Sequence, residues 1–168
     1  MQRRLILLRH AKSSWDNPNL RDFDRPLNKR GQRDAPSMGV LLKNNDIRPD
    51  VIISSDAKRA QTTARLVAAE IGYPDDDIRL NNALYLSSPN TMLDVLASEA
   101  ANDKNVMLVA HNPGMTDLAN YLSDARIDNL PTCGVFMVTQ DNDNWQQMAN
   151  REGKFEAFYC PKKDLNFE

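Results

Sequence analysis

Arg4-Leu5-Ile6-Leu7-Leu8-Arg9-His10 is a short apolar run that stops abruptly on a cation and an imidazole. An unbroken apolar run, rather than an alternating one, predicts a strand buried on both faces of a sheet. Two further runs of this kind stand at Val51–Ser54 and Val106–Ala110. Between them the apolar spacing becomes helical. Ala60, Thr63, Ala64, Val67, Ala68 and Ile71 recur at steps of three and four, and Gly72 follows as a helix stop. Asn28 reads as the cap of a helix running to about Asn44, with Ala35, Met38, Leu41 and Leu42 inward. Pro36 inside that helix predicts a kink or a later start. Ser88-Pro89 opens a helix carrying Leu93, Leu96 and Ala100, and Pro113-Gly114 precedes one carrying Met115, Leu118, Ala119 and Leu122. Val135–Thr139 and Phe155–Tyr159 read as closing strands. The order β-α-β-α-α-β-α-β-β predicts an α/β fold, a three-layer sandwich with helices on both faces of a mostly parallel sheet.

Sheets of this kind collect ligands beyond the carboxyl ends of their parallel strands. Arg9-His10, the segment Ser54-Ser55-Asp56 leading to Arg59, and His111 all occupy such ends. The two histidines of the chain both fall there. Arginine offers a planar fork that matches phosphate oxygens and keeps its charge, whereas histidine can attack or carry a proton near neutral pH. Two of each at one sheet edge predict a pocket for a phosphoryl dianion. Residues 1–70 carry 14 Lys/Arg against 8 Asp/Glu, and residues 71–168 carry 7 against 15. That asymmetry fits a local anion site, although charge alone fits two unlike solvated faces equally well.

The 168 residues suit one domain, residues 1–168. A net charge of −2 and a pI near 5.7 argue against nucleic acid as a partner. No apolar run approaches the roughly 18 residues of a membrane span. Arg9 and His10 interrupt the N-terminal apolar stretch too early for a secretory leader. Cys133 and Cys160 form no disulfide framework, so a cytoplasmic protein is expected. The arginine position of a C-x5-R phosphatase loop is Thr139 after Cys133 and Asn166 after Cys160. Asp22-Phe23-Asp24 follows a polar stretch instead of the apolar strand that an aspartyl-phosphate enzyme needs. Asp141-Asn142-Asp143 begins like a calcium loop, but Trp145 and a missing glycine end it. Neither a P-loop nor G-x-G-x-x-G occurs.

Leu8-Arg9-His10-Ala11-Lys12-Ser13-Ser14-Trp15, Ser54-Ser55-Asp56-Ala57-Lys58-Arg59-Ala60-Gln61-Thr62-Thr63 and Ala110-His111-Asn112-Pro113-Gly114, in that order, resemble the histidine phosphatase superfamily. Within these phosphoglycerate mutase relatives, the likeness is greatest to the short SixA-type phosphohistidine phosphatases. Asp24-Arg25-Pro26-Leu27 and Gly31 match the stretch between the first two motifs. The resemblance runs from Arg4 to Leu122 and more loosely to the last strand. It implies that His10 attacks phosphorus and is transiently phosphorylated, that Arg9, Arg59 and His111 hold the phosphoryl oxygens, and that Ser13 adds a hydrogen bond. No metal or organic cofactor is implied.

Two departures stand out. Ala11 replaces the usual glycine and needs a backbone angle that a Cβ tolerates. Asp16 follows Trp15 where many relatives have asparagine. The segment Leu80–Tyr85, taken as a strand, lacks the acid that mutase-like and phytase-like members use to protonate a leaving oxygen, leaving Asp22, Asp24 or water for that task. A phosphohistidine imidazole leaves with less help than an alkoxide. A chain this short also predicts an open, shallow site that a phosphorylated protein side chain can enter. The expected partner is therefore a phosphohistidine-bearing protein and the expected state a monomer. The alternatives are a phosphatase of small esters such as sugar phosphates or nucleotides, and a phosphohistidine- or phosphopeptide-binding module without turnover.

Overall fold

In a computed structural model, which describes residues 1–167, the apolar runs become the centre of a six-stranded sheet. The strands are β1 (Gln2–Arg9), β2 (Val51–Ser54), β3 (Arg79–Leu80), β4 (Asn105–Ala110), β5 (Val135–Asp141) and β6 (Lys154–Tyr159). Their order is β3-β2-β4-β1-β5-β6. β1, β2, β3 and β4 are parallel, β5 runs antiparallel to β1, and β6 antiparallel to β5.

Alternate residues of β1 serve two different cores, which is why the run is apolar throughout. Ile6 and Leu8 face one core together with Ile52, Met107 and Val109. Over it lie α1 (Lys29–Asn44), through Ala35, Met38 and Leu42, and α2 (Lys58–Ile71), through Ala60, Ala64, Val67 and Ala68. Leu5 and Leu7 face the other core with Ile53, Val106 and Leu108. Met92 and Leu96 of α3 (Pro89–Glu99), Met115 and Leu118 of α4 (Gly114–Leu122), and Trp145 close that side. The result is the three-layer α/β architecture. No helix among the described residues is long and apolar enough to cross a membrane.

The course of α1, the segment 80–85 and the chain after β6 refine the sequence reading. α1 starts at Lys29, as Asn28 indicates: the Asn28 carboxamide accepts from the Gly31 N–H at 2.9 Å. The helix runs on through Pro36, which forfeits only its own N–H bond, while burial of Ala35, Met38 and Leu42 holds the chain helical around it. Gly31 is required by a close approach, since a Cβ there would lie 2.2 Å from the Lys12 carbonyl oxygen. The segment 80–85 is strand only at Leu80 and then turns into a short 3₁₀ helix, Asn82–Leu84. A last short helix, α5 (Pro161–Asp164), follows β6.

Candidate active site

The sheet register brings the predicted residues to one edge. Arg9 at the end of β1 lies beside Ala110 at the end of β4, and Ser54 beside Val109. The next residue in each chain segment is therefore His10, His111 and Ser55. The His10 N–H donates to the Ala110 carbonyl at 3.2 Å, and the two imidazole centroids lie 5.2 Å apart. Thr63 ties this edge to α2: its hydroxyl accepts from the Ala11 N–H at 2.9 Å and donates to the Arg59 carbonyl at 2.7 Å. Ala11 is fully buried and has no positive φ, so its Cβ costs no strain. The Cys133 N–H reaches the carbonyls of both Arg9 and His10, so this cysteine acts on the site through its backbone.

The hydrogen bonds decide the roles of the ring atoms. His10 Nδ1 lies 2.8 Å from the Ala11 carbonyl oxygen. A carbonyl only accepts, so Nδ1 carries the proton and Nε2 keeps a free lone pair. Burial, and then the charges of Arg59, Arg9 and Arg25, outweigh that hydrogen bond and push the His10 pKa down to about 4. His111 Nε2 lies 2.8 Å from the Ser55 hydroxyl, and its buried Nδ1 has no partner among the described residues. Burial, followed by His10 and Arg59, lowers its pKa to about 3. Both rings are thus neutral at pH 7.

These directions predict a titration. With only two histidines in the chain, ¹⁵N NMR should show both rings neutral at pH 6, with protonation beginning only toward pH 4. Unfolded histidine titrates near 6.5, so the stability linked to keeping these rings neutral is complete above that pH. It is lost progressively as pH falls through the folded values. A midpoint of 6.5 for either folded ring would contradict this electrostatic description.

A cavity of about 220 Å³ opens over the rings. Arg9, His10, Ser13, Arg59 and His111, the five predicted residues, all line it, joined by Lys12, Trp15, Arg25, Leu86, Asn112 and Thr132. Arg9 donates through Nη1 to the Leu130 carbonyl at 3.0 Å, leaving its buried Nε without a partner. Arg59, only 3% exposed, donates to the Asp22 carbonyl at 2.7 Å and to its carboxylate at 2.9 Å. Arg25, in the Asp24-Arg25-Pro26-Leu27 stretch, joins the site without a pattern in the sequence that singles it out. It is buried under the exposed Trp15 ring at 3.3 Å and donates to the Ser13 hydroxyl oxygen at 2.5 Å. The Ser13–Leu27 bridge folds its loop back over the site, a tertiary contact that no local pattern announces. At the rim Trp15 is 73% and Leu86 55% exposed, whereas His10 and His111 lie below at 7% and 1%.

No carboxylic acid lines the cavity among the described residues. Asp24 pairs with Arg21 at 2.8 Å on the outer side of the loop. Burial would raise the Asp22 carboxyl, but Tyr85, Arg25 and Arg59 overcome it and hold that group well below the usual carboxylate range. Asp22, held ionised and outside the cavity lining, is poorly suited to protonate a leaving oxygen, and Asp24 is absent from that lining too. Asp16 is exposed and also stands outside the lining.

Comparison with known proteins agrees with this geometry. The profile of the histidine phosphatase superfamily (branch 1) matches residues 5–84. An uncharacterized chloroplastic protein of Arabidopsis thaliana is 30% identical over 98% of this chain and 81% of its own length. A crystal structure assigned as the phosphohistidine phosphatase SixA of Agrobacterium tumefaciens superimposes with a TM-score of 0.79 at 29% identity, covering 95% of this chain and 99% of that one. The protein histidine phosphatase SixA complexed with tungstate shares the fold at a TM-score of 0.78 and 20% identity, covering 96% and 98%.

Proposed function

Because this chain belongs to the histidine phosphatase superfamily, we propose that it is a phosphatase of protein-borne phosphohistidine, with His10 carrying the phosphoryl group between substrate and water. The observation that carries the substrate reading is the composition of the cavity wall: three arginines, two histidines and no carboxylic acid among the described residues. Such a wall neutralises a dianion but supplies no acid for an alkoxide.

In the first step the Nε2 lone pair of His10 attacks phosphorus as the bond from phosphorus to the substrate imidazole breaks. The departing ring takes that electron pair and leaves neutral when its other nitrogen already holds a proton. Arg9 and Arg59 neutralise the equatorial oxygens, with the Ser13 hydroxyl donating alongside them. His111 lines the same cavity beside them. In the second step a water oxygen attacks phosphorus, the bond to Nε2 breaks, and the water proton passes to the departing phosphate or solvent. Inorganic phosphate leaves and His10 regains its lone pair.

The exposed Trp15 and Leu86 at the rim suit a site approached by another protein's surface. The test compares kcat/KM for a phosphohistidine-bearing protein with that for a panel of sugar and nucleotide monophosphates. The phosphoprotein should exceed the best small ester by at least about tenfold, a margin that one missing proton-donor contact readily produces. A small ester that matches it would replace this substrate assignment with the ester phosphatase. Phosphoprotein binding without any turnover would indicate the binding module.

A further inference from the structure

Asp22 holds a position that the two chemical steps leave unexplained. It begins the 3₁₀ turn Asp22–Asp24 on the loop between β1 and α1, and four hydrogen bonds converge on it. Arg59 Nη1 donates to its carbonyl at 2.7 Å. Arg59 Nη2 and the Tyr85 hydroxyl both donate to Oδ2, at 2.9 and 2.5 Å. Arg25 Nη1 donates to Oδ1 at 3.0 Å. Asp22 nevertheless has no place in the cavity lining, which both arginines share. It grips the two guanidinium groups from outside the cavity.

We propose that Asp22 is a positioning residue that aligns Arg59 and Arg25 as a paired clamp, with Arg25 a third phosphoryl-binding arginine. This rests on the phosphatase reading above and extends it to the residues that arrange the anion site. Arg9, Arg25 and Arg59 converge on one small cavity, and their mutual repulsion would splay flexible side chains toward water. A single carboxylate bridging two of them offsets that repulsion and fixes both planes. Because it binds from outside the cavity, it does not occupy the place of the incoming dianion. Arg25 is fixed on its other sides as well. Its Nε donates to the Ser14 carbonyl at 3.0 Å, its Nη2 to Ser13, and the Trp15 ring covers its face. Since the Ser13 oxygen already accepts from Arg25, its own proton is free for the cavity that Ser13 lines.

The experiment measures two quantities on the full chain: tungstate affinity by calorimetry, as a tetrahedral oxyanion probe independent of turnover, and steady-state kinetics. Variants are R25Q, R25K and D22N, with thermal melts to establish that each folds. R25Q should weaken tungstate binding on the order of ten- to a hundredfold, the effect of losing a charge-assisted fork. R25K keeps the charge without the fork and should recover little of it. D22N touches no substrate atom, and its kcat should fall on the order of tenfold or more through misaligned donors while its melting temperature stays near that of the parent. Tungstate binding that depends on Arg25 in a chain without turnover would uphold the clamp and refute the phosphatase reading. Turnover that is intact in the parent and unchanged in folded R25Q and D22N would overturn the clamp alone. Tighter tungstate binding in D22N would also overturn it, because Asp22 would then compete with the anion.

Discussion

His10→Ala should lower kcat by at least about 10,000-fold, the order expected when a covalent nucleophile is removed while oxyanion-stabilising groups remain. The expectation follows from the placement of one lone pair. Nδ1 is committed to the Ala11 carbonyl, and Nε2 is the ring atom left with electrons to donate. Burial and the surrounding arginines, acting against that hydrogen bond, keep the ring unprotonated at neutral pH. Oxyanion binding should survive the substitution, since Arg9, Arg25, Arg59 and His111 all remain in the cavity wall. Steady-state kinetics and tungstate calorimetry on the same variant separate the two effects. A His10→Ala enzyme within a hundredfold of the parent would place the nucleophile elsewhere.

Arg59→Lys is the second severe substitution, with kcat/KM falling on the order of a hundred- to a thousandfold although the charge is retained. Arg59 donates to two different oxygens of Asp22 through its two terminal nitrogens while lining the cavity. A lysine ammonium is a point charge at the end of a flexible stem, and cannot hold both contacts and still offer a fork of in-plane N–H donors to a phosphoryl group. Near-parental kinetics in Arg59→Lys would mean that charge alone suffices there and that the planar geometry is irrelevant.

Much of this arrangement is legible in the order of residues, for reasons that particular positions make clear. The runs Leu5–Leu8 and Val106–Ala110 announce central strands because both faces of the sheet are covered, so every side chain in them is apolar. Once those strands are recognised, topology carries Arg9, His10 and His111 to one edge without further information. Gly72, in a left-handed conformation with a φ of 77°, ends α2 where its sequence indicates. Pro36 does not delay α1, which starts at Lys29 and runs through it with Ala35, Met38 and Leu42 buried around it. The strand read at Leu80–Tyr85 shrinks to Arg79–Leu80 because both residues of β3 are exposed and leave no apolar pattern to mark its bounds. Arg25 and Asp22 hold places in the structure that their sequence positions do not show. Both stand on a loop without periodicity, and their partners Ser13, Arg59 and Tyr85 are brought to them by the tertiary fold. Its place on the loop makes Asp22 a candidate acid. The arginines that make it conspicuous are the same groups that hold it ionised and remove it from that role.

A phosphorylated His10 is the central intermediate, and rapid-quench trapping tests it directly. Substrate carrying a radiolabelled phosphoryl group is mixed with the full chain and quenched in base within the first turnover. The predicted species is an acid-labile, base-stable phosphoenzyme with the label on His10 Nε2, absent from His10→Ala. Label on a serine, cysteine or aspartate, or full turnover with no labelled protein at any time, would contradict it.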